Sequence, residues 1–149
     1  VDLIPGILPF ALDPELRGAS KVLFTEKDAM GPSELAFLTM RADFIQKNRA
    51  AIVDFLEDYI RAMRYWSDPA NRQEMLKVAA DVSKRPAETW ASWVFTEQDY
   101  YRDRNAMPDL DVLQSNLETQ RDLGFLKTKI DIKKYADLSL VQEAVNRLK

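Results

Sequence analysis

The run Glu34-Leu35-Ala36-Phe37-Leu38-Thr39-Met40, followed at once by Arg41-Ala42-Asp43-Phe44-Ile45-Gln46-Lys47-Asn48, is where the chain changes its periodicity. Glu34 to Met40 is an apolar run short enough for a strand. Beyond Thr39 the apolar residues recur at helical spacing for most of the remaining sequence. Asn48 is placed to cap a long helix reaching Trp66, because Ile52, Phe55, Leu56, Tyr59, Ile60 and Met63 follow the i, i+3, i+4, i+7 rule. Glu57 and Arg61, four apart in the favourable order, support it.

Upstream of that switch, Val1 to Ile4 reads as a short strand broken by Pro5-Gly6, and Pro9 and Pro14 leave room only for a helical turn between Ile7 and Leu16. Lys21-Val22-Leu23-Phe24-Thr25 is apolar and β-branched, which predicts a buried strand, and Met30-Gly31-Pro32-Ser33 is turn chemistry. Downstream, Asp68-Pro69 starts a second helix with Met75, Leu76, Ala79 and Val82 as its stripe. Pro86 opens a third carrying Trp90, Trp93, Val94 and Phe95, and Asp109 restarts a helix that Gly124 ends. Ser139 and Gln142 form a capping-box pattern ahead of Val141, Ala144, Val145 and Leu148. The pattern predicts an α-rich α/β chain, two or three short strands followed by about six helices. So few strands cannot make a self-sufficient sheet, so sheet partners are expected outside this chain.

Composition narrows the function classes. The chain has 149 residues, 46% of them hydrophobic and 30% charged, as in a globular protein. With 24 acidic against 21 basic side chains, a net charge of -3 and no long run of one sign, it lacks the footprint of a nucleic-acid binder. Arg61, Arg64, Arg72, Lys84 and Arg85 are interleaved with Glu57, Asp58, Asp68 and Glu74, which reads as a solvated helix surface. The chain has no cysteine and no histidine, so imidazole-based triads, zinc sites and thiol nucleophiles cannot be built from it. No catalytic residue, metal ligand or cofactor is expected. Starting at Val1 inside an apolar run, without initiator Met or signal peptide, the chain is expected to be processed or cut from something longer.

Several motifs, taken in order, resemble the second half of the periplasmic substrate-binding proteins of nitrate, sulfonate, taurine and thiamine-precursor uptake. They are Val1-Asp2-Leu3-Ile4-Pro5-Gly6-Ile7-Leu8-Pro9-Phe10-Ala11, then Val22-Leu23-Phe24, then Ala36-Phe37-Leu38-Thr39-Met40-Arg41-Ala42-Asp43-Phe44 with Lys47-Asn48. They continue with the helix holding Phe55, Leu56, Arg61 and Ala62, ending at Trp66 and Asp68-Pro69. The closing stretch is Leu123-Gly124-Phe125-Leu126-Lys127, Ile130-Asp131, Tyr135-Ala136-Asp137-Leu138-Ser139 and Val141-Gln142-Glu143-Ala144. Two departures stand out: Leu8 occupies the place of the family's usual Trp before the Pro-aromatic turn, and Arg102 to Met107 matches no pattern.

The resemblance implies a partial type II periplasmic-binding fold: residues 1–34 finish the second lobe, 35–40 form a crossover strand acting as hinge, and 41–149 supply the helical part of the first lobe. It implies the capture subunit of an ABC importer, periplasmic or anchored outside the membrane. Its partners would be a small-molecule ligand, the ABC transporter permease and the N-terminal half of the same protein; the unpaired strand edges imply self-association of this chain taken alone. The implied ligand contacts are Pro9, Phe10, Ser33 and Glu34, on two loops expected to face the cleft. Phe10 also has a plain reading as core, Ser33 as a turn residue and Glu34 as an exposed charge. Trp90 and Trp93 read as core. Two other functions fit part of the pattern: a fragment of a pyrimidine-precursor synthase-like enzyme of the same fold, and a helical interaction module marked by an apolar stripe too wide for its own core.

Overall fold

A computed structural model describes residues 2–34 and 36–149. Among the described residues seven α-helices follow one another: α1 (Pro14–Ala19), α2 (Glu26–Met30), α3 (Ala42–Trp66), α4 (Arg72–Ser83), α5 (Ala87–Ala91), α6 (Leu110–Asp122) and α7 (Ser139–Arg147). Single 3-10 turns lie at Phe10–Leu12, Pro69–Asn71 and Ile132–Lys134. Among the described residues there is no strand, which corrects the α/β expectation: the protein is all-helical. Of the expected strands, Asp2 to Ile4, residues 21–24 and residues 36–40 are irregular, and Val1 and Leu35 lie outside the described residues. The cause is physical. A β-branched apolar run becomes a strand by packing against paired neighbours, and none of the described segments pairs with these.

Thr25, read as a strand end, instead caps α2. Its hydroxyl accepts from Asp28 N–H while Asp28 Oδ2 accepts from Thr25 N–H at 2.8 Å, a reciprocal capping box. Asn48 does mark a break, but inside α3. Helix geometry already begins at Ala42, and Asn48 sits at φ -124°, ψ 21°, its Nδ2 donating to the Phe44 carbonyl at 2.9 Å. A side chain that bonds the carbonyl one turn back competes with the helical ladder and bends it. The capping box expected from Ser139 and Gln142 does not form. Asp137, two residues earlier, accepts from both the amide and the hydroxyl of Ser139, at 3.0 and 2.5 Å, and Ser139 becomes the first helical residue. Gly124, at φ 83°, ends α6 as expected, with its N–H on the Arg121 carbonyl.

The chain forms two units. The first comprises Val1–Phe24 with Trp66–Tyr101 and the second Thr25–Tyr65 with Arg102–Lys149. In the second unit, Ile52, Val53 and Ile60 of α3 pack on Leu140, Val141 and Ala144 of α7, with Leu56, Met107 and Leu148 at the margin. Arg49 reaches Glu143 at 3.1 Å and Asp137 at 3.7 Å, and Arg147 reaches Asp54 at 2.7 Å, so charges staple the rim of the same helix pair. In the first unit, Leu76, Trp93 and Val94 are the core, walled by Leu8, Leu12, Trp66, Trp90 and Phe95. The stripe expected on α4 is narrower than read, since Met75 and Leu76 are buried while Val82 is 79% exposed.

Ile60 is fully buried and Val82 is not, which sets a contrast for urea unfolding. Ile60→Ala is expected to cost about 2–5 kcal/mol, and Val82→Ala to stay within about 0.5 kcal/mol. An Ile60→Ala loss below 1 kcal/mol would contradict the assigned core.

Candidate functional site

Pro9 and Phe10 lie in the first unit. Phe10 opens the turn Phe10–Leu12, closed by the Leu12 amide on the Pro9 carbonyl at 3.0 Å and the Asp13 amide on the Phe10 carbonyl at 3.1 Å. Asp13 then caps α1 through Oδ1, accepting from Glu15 and Leu16. Leu8 and Leu12 pack on the aromatic core, whereas Phe10 is left 59% exposed. Its ring is covered from the α4–α5 connection: the Arg85 guanidinium carbon is 4.7 Å from the ring centroid. The connection turns at Lys84, whose φ of 57° is left-handed without a glycine. Arg85 is half-buried, and among the described residues it has neither ion pair nor hydrogen bond.

Ser33 and Glu34 lie in the second unit, on the loop after α2. Gly31, at φ 73°, ends α2 with its N–H on the Lys27 carbonyl. Asn116 of α6 then holds the loop with both ends of its amide: Oδ1 accepts from Glu34 N–H at 3.0 Å and Nδ2 donates to the Pro32 carbonyl at 3.1 Å. One turn-face away, Gln114 holds residues 130–132 in the same way, donating to the Ile130 carbonyl and accepting from Ile132 N–H, each at 3.0 Å. Both amides thus substitute for a missing backbone partner. Neither Asn116 nor Gln114 was singled out by pattern, because an amide on a helix surface carries no distinctive spacing. Ser33 and Glu34 are half-buried as a result of this anchoring. The two pairs of expected contacts therefore belong to different units, each held by its own neighbours.

Trp90 and Trp93 are core, as read: Trp93 is 3% exposed, their rings are 5.7 Å apart, and Trp90 Nε1 donates to Ser83 Oγ at 2.9 Å. Phe95 adopts φ 63°, a conformation rare for a bulky residue, with its N–H held by Asp99 Oδ2 at 2.8 Å. Among the described residues no cluster of carboxylates is arranged to hold a metal ion, and no helix is long and apolar enough to cross a membrane. The shallow hollow lined by Gln114, Leu117, Glu118, Arg121, Thr128, Lys129 and Ile130 is open to solvent and encloses no room for a small molecule. Hydrogen bonds from Ser139, with Arg49 nearby, hold the Asp137 carboxyl below the usual carboxylate range, and Thr25 does the same to Asp28. Comparison of the chain with protein-family models, curated proteins and solved structures found no match.

Two outcomes follow from these contacts. Asn116→Leu is expected to weaken protection of the Glu34 amide by about 0.5–1.5 kcal/mol in hydrogen exchange while helix content is kept; unchanged protection would show that Asn116 does not hold the loop. The lowered Asp137 value means that its contribution to stability is complete above about pH 4 and fades as pH falls through the native value. Ser139→Ala is expected to raise the Asp137 titration midpoint, followed by carboxyl NMR, and an unmoved midpoint would contradict that cause.

Proposed function

We propose that this chain is the C-terminal half of the solute-capture subunit of an ABC importer. It works with the N-terminal half of the same protein to hold a small organic or anionic solute outside the membrane and hand it to the permease. The observation that carries this reading is the surface the chain leaves uncovered. It exposes 11345 Å², whereas two separate compact units of these sizes would expose about 9,400 Å² together. The chain thus exposes about 2,000 Å² more than compact packing of the two units would leave.

Many of the exposed large apolar side chains fall within the motifs of the resemblance. In the first unit Val22, Leu23 and Phe24 are each more than 60% exposed; in the second, Phe37 and Leu38 stand in solvent, and Phe44, Phe55 and Tyr59 are exposed on α3. Exposed apolar side chains in such number suit a surface that a partner covers. The departures at Leu8 and at Arg102 to Met107 leave the ligand's identity to experiment.

The outward stripe of α3, with Phe55 and Tyr59 stacked 6.2 Å apart, also favours the second reading, a helical interaction module. Calorimetry separates the two. The product of the complete reading frame and residues 1–149 alone are each titrated with sulfonates, nitrate, amines, pyrimidines and aromatic acids, with light scattering on both. The reading expects the complete product to bind one of these, and the chain alone to bind it at least about tenfold more weakly and to self-associate. Micromolar binding by the chain alone as a monomer, or no binding by the complete product, would overturn it.

A further inference from the structure

We infer that Arg85, seated on the ring of Phe10, is an oxyanion-binding residue of the first unit, able to take the carboxylate or sulfonate of a small organic acid. The inference deepens the solute-capture reading and rests on it for its setting, but its chemistry stands on the arginine itself. Most other guanidinium groups among the described residues find acceptors; Arg72 and the exposed Arg17 and Arg104 do not. Arg49, Arg61 and Arg147 pair with carboxylates, and Arg64 bonds Asn105 Oδ1 at 2.7 Å and the Leu148 carbonyl at 3.3 Å. Arg85 has no such partner among the described residues although it is half-buried.

A guanidinium carries five N–H donors in a rigid fork and no acceptor. Contact with the Phe10 ring, 4.7 Å to the centroid, satisfies its charge in part through the π face. It leaves the donors unspent, and it holds the fork so that less rotational freedom is lost when a ligand is bound. A fork held in this way suits a carboxylate or sulfonate, which accepts two parallel hydrogen bonds. The position past the end of α4 favours any cation, so charge alone is not the argument. The ring contact together with the missing carboxylate is.

Arg72 gives the contrast. It lies 5.7 Å from the Phe95 ring, but Phe95 is part of the core wall, so that pair seals the core. Phe10 is 59% exposed, and the apolar body of an organic acid can lie against it. Lys84, adjacent and exposed, adds a second positive charge.

The test follows the Arg85 Nε–Hε resonance of the 15N-labelled chain, assigned through Arg85→Lys, during titration with benzoate, methanesulfonate and butylammonium. The expected result is a saturating shift with the two anions and none with the ammonium. Arg85→Gln and Arg85→Lys are expected to weaken benzoate binding by at least about tenfold, Phe10→Leu to weaken it with the charge retained, and Arg17→Gln, on the exposed side of α1, to leave it unchanged. No shift at about 50 mM anion, or equal affinity in Arg85→Gln, would overturn the inference. If the complete protein captured an amine with Arg85→Gln indifferent, solute capture would stand and this inference would fall. If the complete protein captured nothing while Arg85 still responded to benzoate, the capture reading would fall and the oxyanion site would stand.

Discussion

A helix can bury only as many of its faces as it has neighbours, and within the second unit α3 keeps an apolar side that α7 does not cover. Ile52, Val53 and Ile60 disappear beneath Leu140, Val141 and Ala144 of α7, so closely that Val53, Ile60 and Ala144 are without solvent contact. This packing orders the second unit. The charges of Arg49 and Arg147 at its edge are solvent-exposed pairs of the kind that fix register more than they add stability. The same helix turns Phe44, Phe55 and Tyr59 outward. The core of the second unit and its largest unmet need thus come from one stretch of sequence.

Four glycines serve 149 residues, and the ends of the elements are tied mostly by short polar side chains instead. Asp13, Asp68, Asp109 and Asp131 each accept from amides at the start of a helix or turn, Asp137 does so for α7, and Asp99 and Asp103 fold the segment between α5 and α6. Much of the acidic composition is therefore spent on local amides, where a carboxylate compensates both unpaired N–H groups and the positive end of a helix. This accords with the absence, among the described residues, of a cluster of carboxylates arranged to hold a metal ion.

The helices were legible where the apolar spacing is long and regular. The helices expected from Asn48 to Trp66, roughly Leu110 to Leu123 and Leu140 to Leu148 are found, the first continuing from Ala42 past a break at Asn48 and the other two ending one residue earlier, because burial of one face is a local property of spacing. The strands were not legible, because the tendency of Lys21 to Thr25 and Ala36 to Met40 to extend depends on neighbours that periodicity cannot see. The pattern Thr25-x-x-Asp28 was a readable helix start that the β-branched run masked. At the candidate site, the solvated-face reading of the basic residues holds for Arg61, which pairs with Glu57 and Asp58, and fails for Arg72 and Arg85, which stack on phenylalanines far away in sequence. Such long-range stacking leaves no trace in spacing, and the same holds for Asn116 on the Pro32 to Glu34 loop.

Whether so much exposed apolar surface is tolerable depends on how its cover arrives. A separate chain must offset about 4–15 kcal/mol of lost translational and rotational freedom before any contact shows as affinity. A cover joined through the same backbone incurs only loop closure, which grows by about 0.6 kcal/mol for each doubling of the connection. A protein that relies on a separate partner commonly guards such surface with charge while it waits. Here Lys21 and the Glu26-Lys27-Asp28 group bracket Val22-Leu23-Phe24, and Arg41 follows Phe37 to Met40, but no charge interrupts either apolar run. Charges placed at the flanks, not within, guard such a run against pairing while leaving its apolar side chains free to be covered.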